Sequence, residues 1–278
     1  MVKVSVIIPS YNEEKDIGDT LKSLKKQSFQ DLEVIVVDDG STDKTREIAK
    51  KEGAVVIEQN HKGPGFARNL GVKNSKGSIL VFVDSDMEFE KNYLKNLIAP
   101  IRGKVVGTTH EQEIVKNTSN IWSRCWGKIR VSKEEAKDVK IFRAIRKDKF
   151  LSMGGFNPKY GYADDQTFWF EKKIKPVVAK NTICYHKNPD TLKGVYKQSR
   201  WIGASIDNKF ITSPITKCIS PVLMFLIFPL AIPVLAIKRC ARNKDFDIIL
   251  QMIAFMTARY FGTLAGICRK NYYGVNFR

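Results

Sequence analysis

Cysteine is sparse in this chain: five in 278 residues (Cys125, Cys184, Cys218, Cys240 and Cys268), odd in number, widely spaced and without a Cys-x-x-Cys pair. That pattern fits neither a disulfide framework nor a zinc site and points to a reducing compartment. Two phosphate-cradling signatures are missing as well. No Gly-x-Gly-x-x-Gly opens the first helix and no Gly-Lys-Ser/Thr occurs, which weakens dinucleotide-fold and P-loop readings. The N-terminus, Met-Val-Lys-Val-Ser-Val-Ile-Ile, enters a strand within a few residues, without the basic stretch and long apolar core of a secretory leader. Acids are outnumbered, 29 Asp and Glu against 47 Lys and Arg, for a net charge of +18. Such a surplus calls for an anionic partner: nucleic acid, phospholipid or a phosphorylated substrate. No nucleic-acid-binding motif accompanies it, so nucleic acid is not an expected partner.

With 43% hydrophobic residues, the chain can bury a sizeable core as one large or two small domains. The pattern turns on the stretch from Ser78 to Met87, where five apolar residues, Ile79 to Val83, run into Asp84 and Asp86. An unbroken β-branched and aromatic run after Gly77 reads as a strand buried on both faces. Acids at its carboxyl end lie where open α/β sheets place their ligands. A turn there can bring both side chains round one hard cation such as Mg²⁺ or Mn²⁺, which completes its shell with water and phosphate oxygens. The same two acids would also serve as a solvated strand-ending turn.

The first hundred residues alternate strand and helix. Val4–Ile8 is stopped by Pro9; Asp16 to Lys26 carries Ile17, Leu21 and Leu24 at helical spacing; Leu32–Val37 ends in Asp38-Asp39-Gly40-Ser41-Thr42-Asp43. A helix over Asp43 to Lys51, a strand at Ala54–Ile57, a Gly63-Pro64-Gly65 break and a helix over Phe66 to Asn74 lead to the acidic strand. This alternation predicts an α/β fold around a parallel, doubly wound sheet. Three strands then stop in polar clusters, at Pro9–Glu13, Asp38-Asp39 and Asp84–Asp86, and a parallel sheet would gather all three at one crevice. Carboxylates there can accept hydrogen bonds from a base or from ribose hydroxyls. Asp86 would hold a metal that neutralises a diphosphate, and Arg68 could add a fixed positive charge. For Asp38, Asp39 and Asp43 a capped turn is equally compatible with their positions.

These motifs, Val4-Ser-Val-Ile-Ile-Pro-Ser-Tyr-Asn-Glu-Glu14, Val36-Val-Asp-Asp-Gly-Ser-Thr-Asp43, Gly65-Phe-Ala-Arg-Asn-Leu-Gly71 and Val83-Asp-Ser-Asp86, resemble those of the family 2 glycosyltransferases in order and spacing. The resemblance covers residues 1 to about 100. It implies a GT-A fold, a nucleotide-diphosphate-sugar donor (a UDP- or GDP-sugar) and inversion at the anomeric carbon. It further implies that Pro9, Tyr11, Glu13, Asp38, Asp39, Arg68, Asp84 and Ser85 belong to the nucleotide-sugar site, with Asp84 and Asp86 as the metal-binding acids. Farther on, Phe142-Arg-Ala-Ile-Arg146 resembles the family's strand before the catalytic helix, and Gly154-Gly155-Phe156 gives a tight turn. In Gly161-Tyr-Ala-Asp-Asp-Gln166 the resemblance carries the general-base role to Asp165, with Asp164 in the place of the family's Glu. An acid pair also favours the start of a helix through its dipole.

Tyr196-Lys-Gln-Ser-Arg-Trp201 continues the resemblance to a Gln-x-x-Arg-Trp motif, with Lys197 in the Gln place. By that likeness Lys197 and Arg200 meet the diphosphate and Trp201 stacks on the acceptor; the Lys is a departure that bears on processivity. A lone His186 reads as a satisfied structural group, and His61 and His110 have no recognisable context. From Pro214 the composition changes. Cys218–Ile237 is twenty residues without a charge, and Ile248–Cys268 is a second apolar stretch broken by Arg259, against roughly 20 residues for a bilayer span. Pro221, Pro229 and Pro233, a basic connector and the buried cost of Arg259 point to a re-entrant or interfacial pair rather than two clean spans. The expected organisation is a nucleotide-sugar half over 1–107, an acceptor and base half over 108–212, and membrane-associated helices over 213–278. The expected activity is glycosyl transfer at the cytoplasmic face of a membrane, to a lipid or lipid-linked glycan acceptor. A polyprenyl-phosphate sugar synthase and a catalytically silent nucleotide-sugar-binding membrane protein are the alternatives.

Overall fold

The computed structural model describes residues 3–205, 231–242 and 245–273. Its first half is four parallel strands. The Val/Ile runs form β1 (Val4–Ser10) and β2 (Leu32–Asp38), flanked by β3 (Val55–Glu58) and β4 (Ile79–Phe82) in the order β3-β2-β1-β4. Every residue of β4 is buried, as expected for a strand covered on both faces. Helices α1 (Ile17–Lys25), α2 (Thr45–Lys51) and α3 (Pro64–Asn74) connect them. The register pairs Ile7 with Phe82 and Ser10 with Asp38. Tyr11, Asp39 and Asp84 therefore leave the sheet along the same edge.

α3 is placed by its glycines. Gly63, at φ 96°, turns the chain into Pro64 at the helix start. At Gly71 the helix backbone lies directly on β1 and β2, where a Cβ would fall 2.5 Å from Ile7 Cγ2 and 3.2 Å from Val37 Cγ2. That approach holds Arg68, one turn earlier, over the strand ends.

The second half extends the same sheet with mixed polarity. After β5 (Met87–Phe89) and α4 (Tyr93–Ile98) come β6 (Gly107–Val115), α5 (Ile121–Trp126), β7 (Ile129–Val131), β8 (Ala144–Arg146), α6 (Lys147–Ser152), a 3₁₀ segment Pro158–Gln166, α7 (Thr167–Lys172) and β9 (Val177–His186). β8 is antiparallel to β4 and β6, β9 runs parallel to β6, and β5 closes the edge antiparallel to β9. Strands from both 1–107 and 108–212 thus belong to one sheet. One face buries an aliphatic core with Tyr93 and Leu97; the other buries Phe82, Phe142, Phe150, Phe156 and Phe168 in edge-on and tilted contacts.

Beyond the sheet, α8 (Leu192–Ser205), a helix over 231–242 (α9) and α10 (Ile249–Tyr273) pack with α5 around Phe255, Met252 and Cys240. Of the first expected membrane segment, residues 218–230 lie outside the described residues and 231–237 fall in α9. Among the described residues one helical stretch, Phe246–Cys268, is long and apolar enough to cross a bilayer. Arg259 does not face away from the protein: its guanidinium lies 4.4 Å from the Trp126 ring.

Candidate active site

The strand ends open into a cavity of about 740 Å³. On the first-half wall stand Pro9, Tyr11, Glu13, Asp39, Arg68, Asp84, Ser85 and Asp86; on the opposite wall stand Asp164, Asp165, Lys197, Arg200 and Trp201. Every residue expected from the sequence borders it except Asp38. That side chain is fully buried below, where Oδ2 accepts from the Ser41 N–H at 3.0 Å and so closes the turn. Asp39 lines the cavity, yet its carboxylate is already engaged. Oδ1 accepts from Lys62 N at 2.7 Å and Gln59 Nε2 at 2.6 Å, and Oδ2 accepts from Gly63 N at 2.9 Å. It organises the loop that delivers His61 against Tyr11, ring centroids 4.1 Å apart.

At the centre runs a chain of alternating charges. Arg68 donates to Asp164 Oδ1 at 2.6 Å and to Asp84 Oδ1 at 2.9 Å; Arg143 meets Asp84 Oδ2 at 3.3 Å and Glu113 Oε2 at 3.5 Å. Glu113 takes His186 Nδ1 at 2.7 Å, and His186 Nε2 reaches Asp86 Oδ2 at 3.1 Å. Burial alone would neutralise Asp84, but the two guanidiniums hold it far below the usual carboxylate range. For His186 burial disfavours the charged ring; Asp86 and Glu113 on either side outweigh it and push the pKa up to about 9. Glu13 is pushed up to about 8 by burial first and then by Asp86, Asp16 and Asp84.

Asp164 and Asp165 differ in exposure. Asp164 is 1% exposed and bound to Arg68; Asp165 is half-buried, borders the cavity and makes no salt bridge among the described residues. Burial raises both, with Arg68 opposing. The pair sits in the 3₁₀ turn before α7 rather than inside a helix, and Thr167 Oγ1 donates to Asp164 O at 2.6 Å. Gly65 makes room for the turn, since a Cβ there would fall 2.6 Å from Asp164 Oδ2. On the far side Tyr162 N donates to Ser205 Oγ at 2.7 Å, and the Tyr162 ring packs edge-on to Trp201 at 4.9 Å.

Sequence reading did not find Glu113, Arg130, Arg143, His61 or Tyr162 as cavity residues. Arg143 lay inside a motif read as a strand; Glu113 and Arg130 lie in a stretch with no apolar rhythm. His186, read as structural, links Glu113 to an acid of the strand-end motif. His110, Glu113 and Cys184 form a further buried group of potential ligands. Glu113 meets Nε2 of His110 at 3.2 Å while Cys184 Sγ meets Nδ1 at 3.3 Å. The three ligand atoms lie within 4.8 Å of one another, and in the metal-free arrangement His110 meets both of the other side chains.

A cavity at the carboxyl ends of a parallel half-sheet, with acids on both walls and a mixed extension of the sheet behind it, is a GT-A-like arrangement. The chain belongs to glycosyl transferase family 2, whose model matches residues 5–156, more than half of its length. It is 44% identical over 107 residues to the poly(ribitol-phosphate) beta-N-acetylglucosaminyltransferase TarS of Staphylococcus aureus, a match over 36% of this chain and 19% of that protein. It is 38% identical over 108 residues to the glycosyltransferase AglE of Haloferax volcanii, over 36% of each. The matched segment thus spans about a third or less of these relatives. Among solved structures, the mannosyltransferase PcManGT of Pyrobaculum calidifontis, in complex with GDP-Man and Mn²⁺, superposes with a TM-score of 0.60 at 20% identity, covering 99% of this chain and 88% of that one. TarS 1-349 in complex with UDP superposes at 0.50 with 20% identity, covering 98% and 92%.

Proposed function

We propose that this chain transfers a sugar, with inversion, from a UDP- or GDP-sugar to an acceptor hydroxyl. The observation that carries the reading is one cavity with strand-end acids and Arg68 on one wall and the Asp165 carboxylate on the other. Complexes of similar folds with UDP and with GDP-Man support a nucleotide-sugar donor.

A divalent cation, Mg²⁺ or Mn²⁺, would be held by Asp86 at the strand end, where Glu13 and Asp84 add negative charge. His186, whose ring is charged below about pH 9, is the ion-pair partner of Asp86 at 3.1 Å and would join the ligands only after giving up that proton. Asp84 is a poorer ligand here, because both its oxygens are taken by Arg68 and Arg143. When bound, the cation supplies positive charge to the leaving diphosphate. Glu13 borders the same pocket. Tyr11 and His61 offer a stacking surface for a base; Asp39 holds their loop and Asp38 holds the turn beneath.

Asp165 accepts the proton of the acceptor hydroxyl as its oxygen bonds the anomeric carbon. The bond from that carbon to the diphosphate breaks on the opposite side, and a nucleoside diphosphate leaves. Asp164 keeps Arg68 pinned across the cleft, Lys197 and Arg200 face the departing charge, and Trp201 packs against acceptor sugar. The acceptor we favour is a lipid or lipid-linked glycan at the cytoplasmic face of a membrane. Residues 1–107 supply the donor half of the cavity, 108–212 the acceptor half, and 213–278 the membrane-associated part.

The test is a panel of UDP- and GDP-sugars, each with Mn²⁺ and with chelator, read by thermal shift and by donor hydrolysis. At least one donor should stabilise the protein when metal is present. If none does, the reading fails.

A further inference from the structure

Helix α10 has two faces of opposite design. The inner face is made for backbone approach: Gly262 and Gly266 lie one turn apart against Gly203 of α8. A Cβ on Gly262 would fall 2.5 Å from Tyr196 O and 2.9 Å from Ser199 Cβ, and those on Gly203 and Gly266 would strike the Thr263 and Arg200 carbonyls. The only charged residue between Ile248 and Cys268, Arg259, turns inward over Trp126 and Phe255. The outer face reads Leu250, Ala254, Thr257, Phe261 and Leu264, one stripe at helical spacing. Leu250 is 74% and Phe261 46% exposed, and the Thr257 hydroxyl is spent on Ile253 O at 2.9 Å. A helix facing water turns its charges outward; this one does the reverse. On α9, Val234 and Ile237 are exposed beside Lys238 and Arg242, while Arg239 is turned in to the Cys125 and Trp126 carbonyls.

We propose that the outer faces of α9 and α10 dock on the surface of an anionic bilayer, lying in its interface rather than crossing it, and that docking braces the acceptor wall of the cavity. Crossing the bilayer would strip α10 from α8 and Arg259 from Trp126. A second copy of the chain is a poor occupant, because two molecules at +18 repel each other. Anionic headgroups instead complement Lys238 and Arg242. The brace follows from the contacts: α10 holds α8, which carries Lys197, Arg200 and Trp201, and Ser205 of α8 holds the turn bearing Asp164 and Asp165.

The full chain is sedimented with vesicles of phosphatidylcholine alone and of phosphatidylcholine mixed with phosphatidylglycerol. Wild type should follow the mixed vesicles, less so in high salt. The double variant L250E/F261E should bind roughly 100-fold more weakly, having lost two large apolar side chains from the lipid face. Its thermal shift with sugar nucleotide and Mn²⁺ should stay that of wild type. Mixed vesicles should raise donor hydrolysis several-fold in wild type and not in the variant. Equal sedimentation of the variant, equal binding to neutral vesicles, or a lipid-free dimer that L250E/F261E dissolves would each overturn the docking; binding without faster hydrolysis would overturn the brace. Only the hydrolysis arm rests on the proposed activity. Vesicle binding by a protein that no sugar nucleotide stabilises would sink that activity and leave the surface standing.

Discussion

Arg68 serves two carboxylates from opposite walls of the cavity, and the unequal treatment of the acid pair follows from it. Asp164 has one oxygen on the guanidinium and almost no exposure; Asp165 is half-buried and, among the described residues, makes no salt bridge. Replacing Asp165 by Asn should lower kcat by roughly 10²- to 10⁴-fold, the usual worth of a positioned base, with donor-induced thermal shift unchanged. A variant that keeps its rate would remove Asp165 from the chemistry. Asp164→Asn should act on the fold instead, because removing one partner of a buried ion pair costs about 3–5 kcal/mol; a Tm equal to wild type would contradict the pairing. Burial raises the pKa of both acids. A base must be ionised to act, so kcat/KM should fall on acidification from above the ordinary carboxylate range. A profile flat down to pH 4 would show that the base is an unperturbed carboxylate or another group altogether.

At the level of elements, the parallel half rests on helix-to-sheet contacts that only glycine permits. Gly71→Ala would drive a methyl into Ile7 and Val37 and lift α3 from β1 and β2. Overpacking of this kind costs about 1–3 kcal/mol, and because Arg68 rides on the same helix, donor affinity should fall with Tm. Loss of stability with donor affinity intact would uncouple α3 from the site. The same half was legible in the sequence for a physical reason: β1, β2 and β4 are apolar runs buried on both faces, and each ends where its acids begin. The other half hid its strands. β6 reads Gly-Thr-Thr-His-Glu-Gln-Glu-Ile-Val, and it buries His110 and Glu113. Those groups are tolerable only because Arg143 just before β8, Arg130 from β7 and His186 from β9 pair with Glu113. Compensation across strands leaves no periodic trace, so neither the strand nor its share of the cavity could be read beforehand. Asp38 failed differently: in sequence a turn-closing carboxylate and a ligand-facing one look alike, and only the backbone separates it from Asp39.

In the molecule as a whole, fixed charges of both signs meet across one continuous sheet. The positive side of the cavity is largely internally neutralised, Arg68 and Arg143 by Asp84, Arg130 by Glu113. What stays open is a negative corner where Glu13 and Asp86 converge at the end of the parallel half, with Asp84 behind them. Glu13 bears the cost there, its pKa pushed up to about 8 by burial and by those neighbours. Because the folded protein holds this proton more tightly than the unfolded chain, its contribution to stability is greatest at low pH. That contribution declines from about pH 4.5 and is lost as pH rises through about 8. Metal-free protein should therefore lose Tm across this range, and Glu13→Gln should flatten the decline. A divalent cation in the corner reverses the electrostatic reason for the shift, so its binding should expel the Glu13 proton and grow tighter as pH approaches 8. Titration calorimetry with Mn²⁺ in two buffers of different ionisation enthalpy measures that release directly. Wild type should release more protons than Glu13→Gln; equal release by both proteins would place the cation away from Glu13 and from the strand-end acids that surround it.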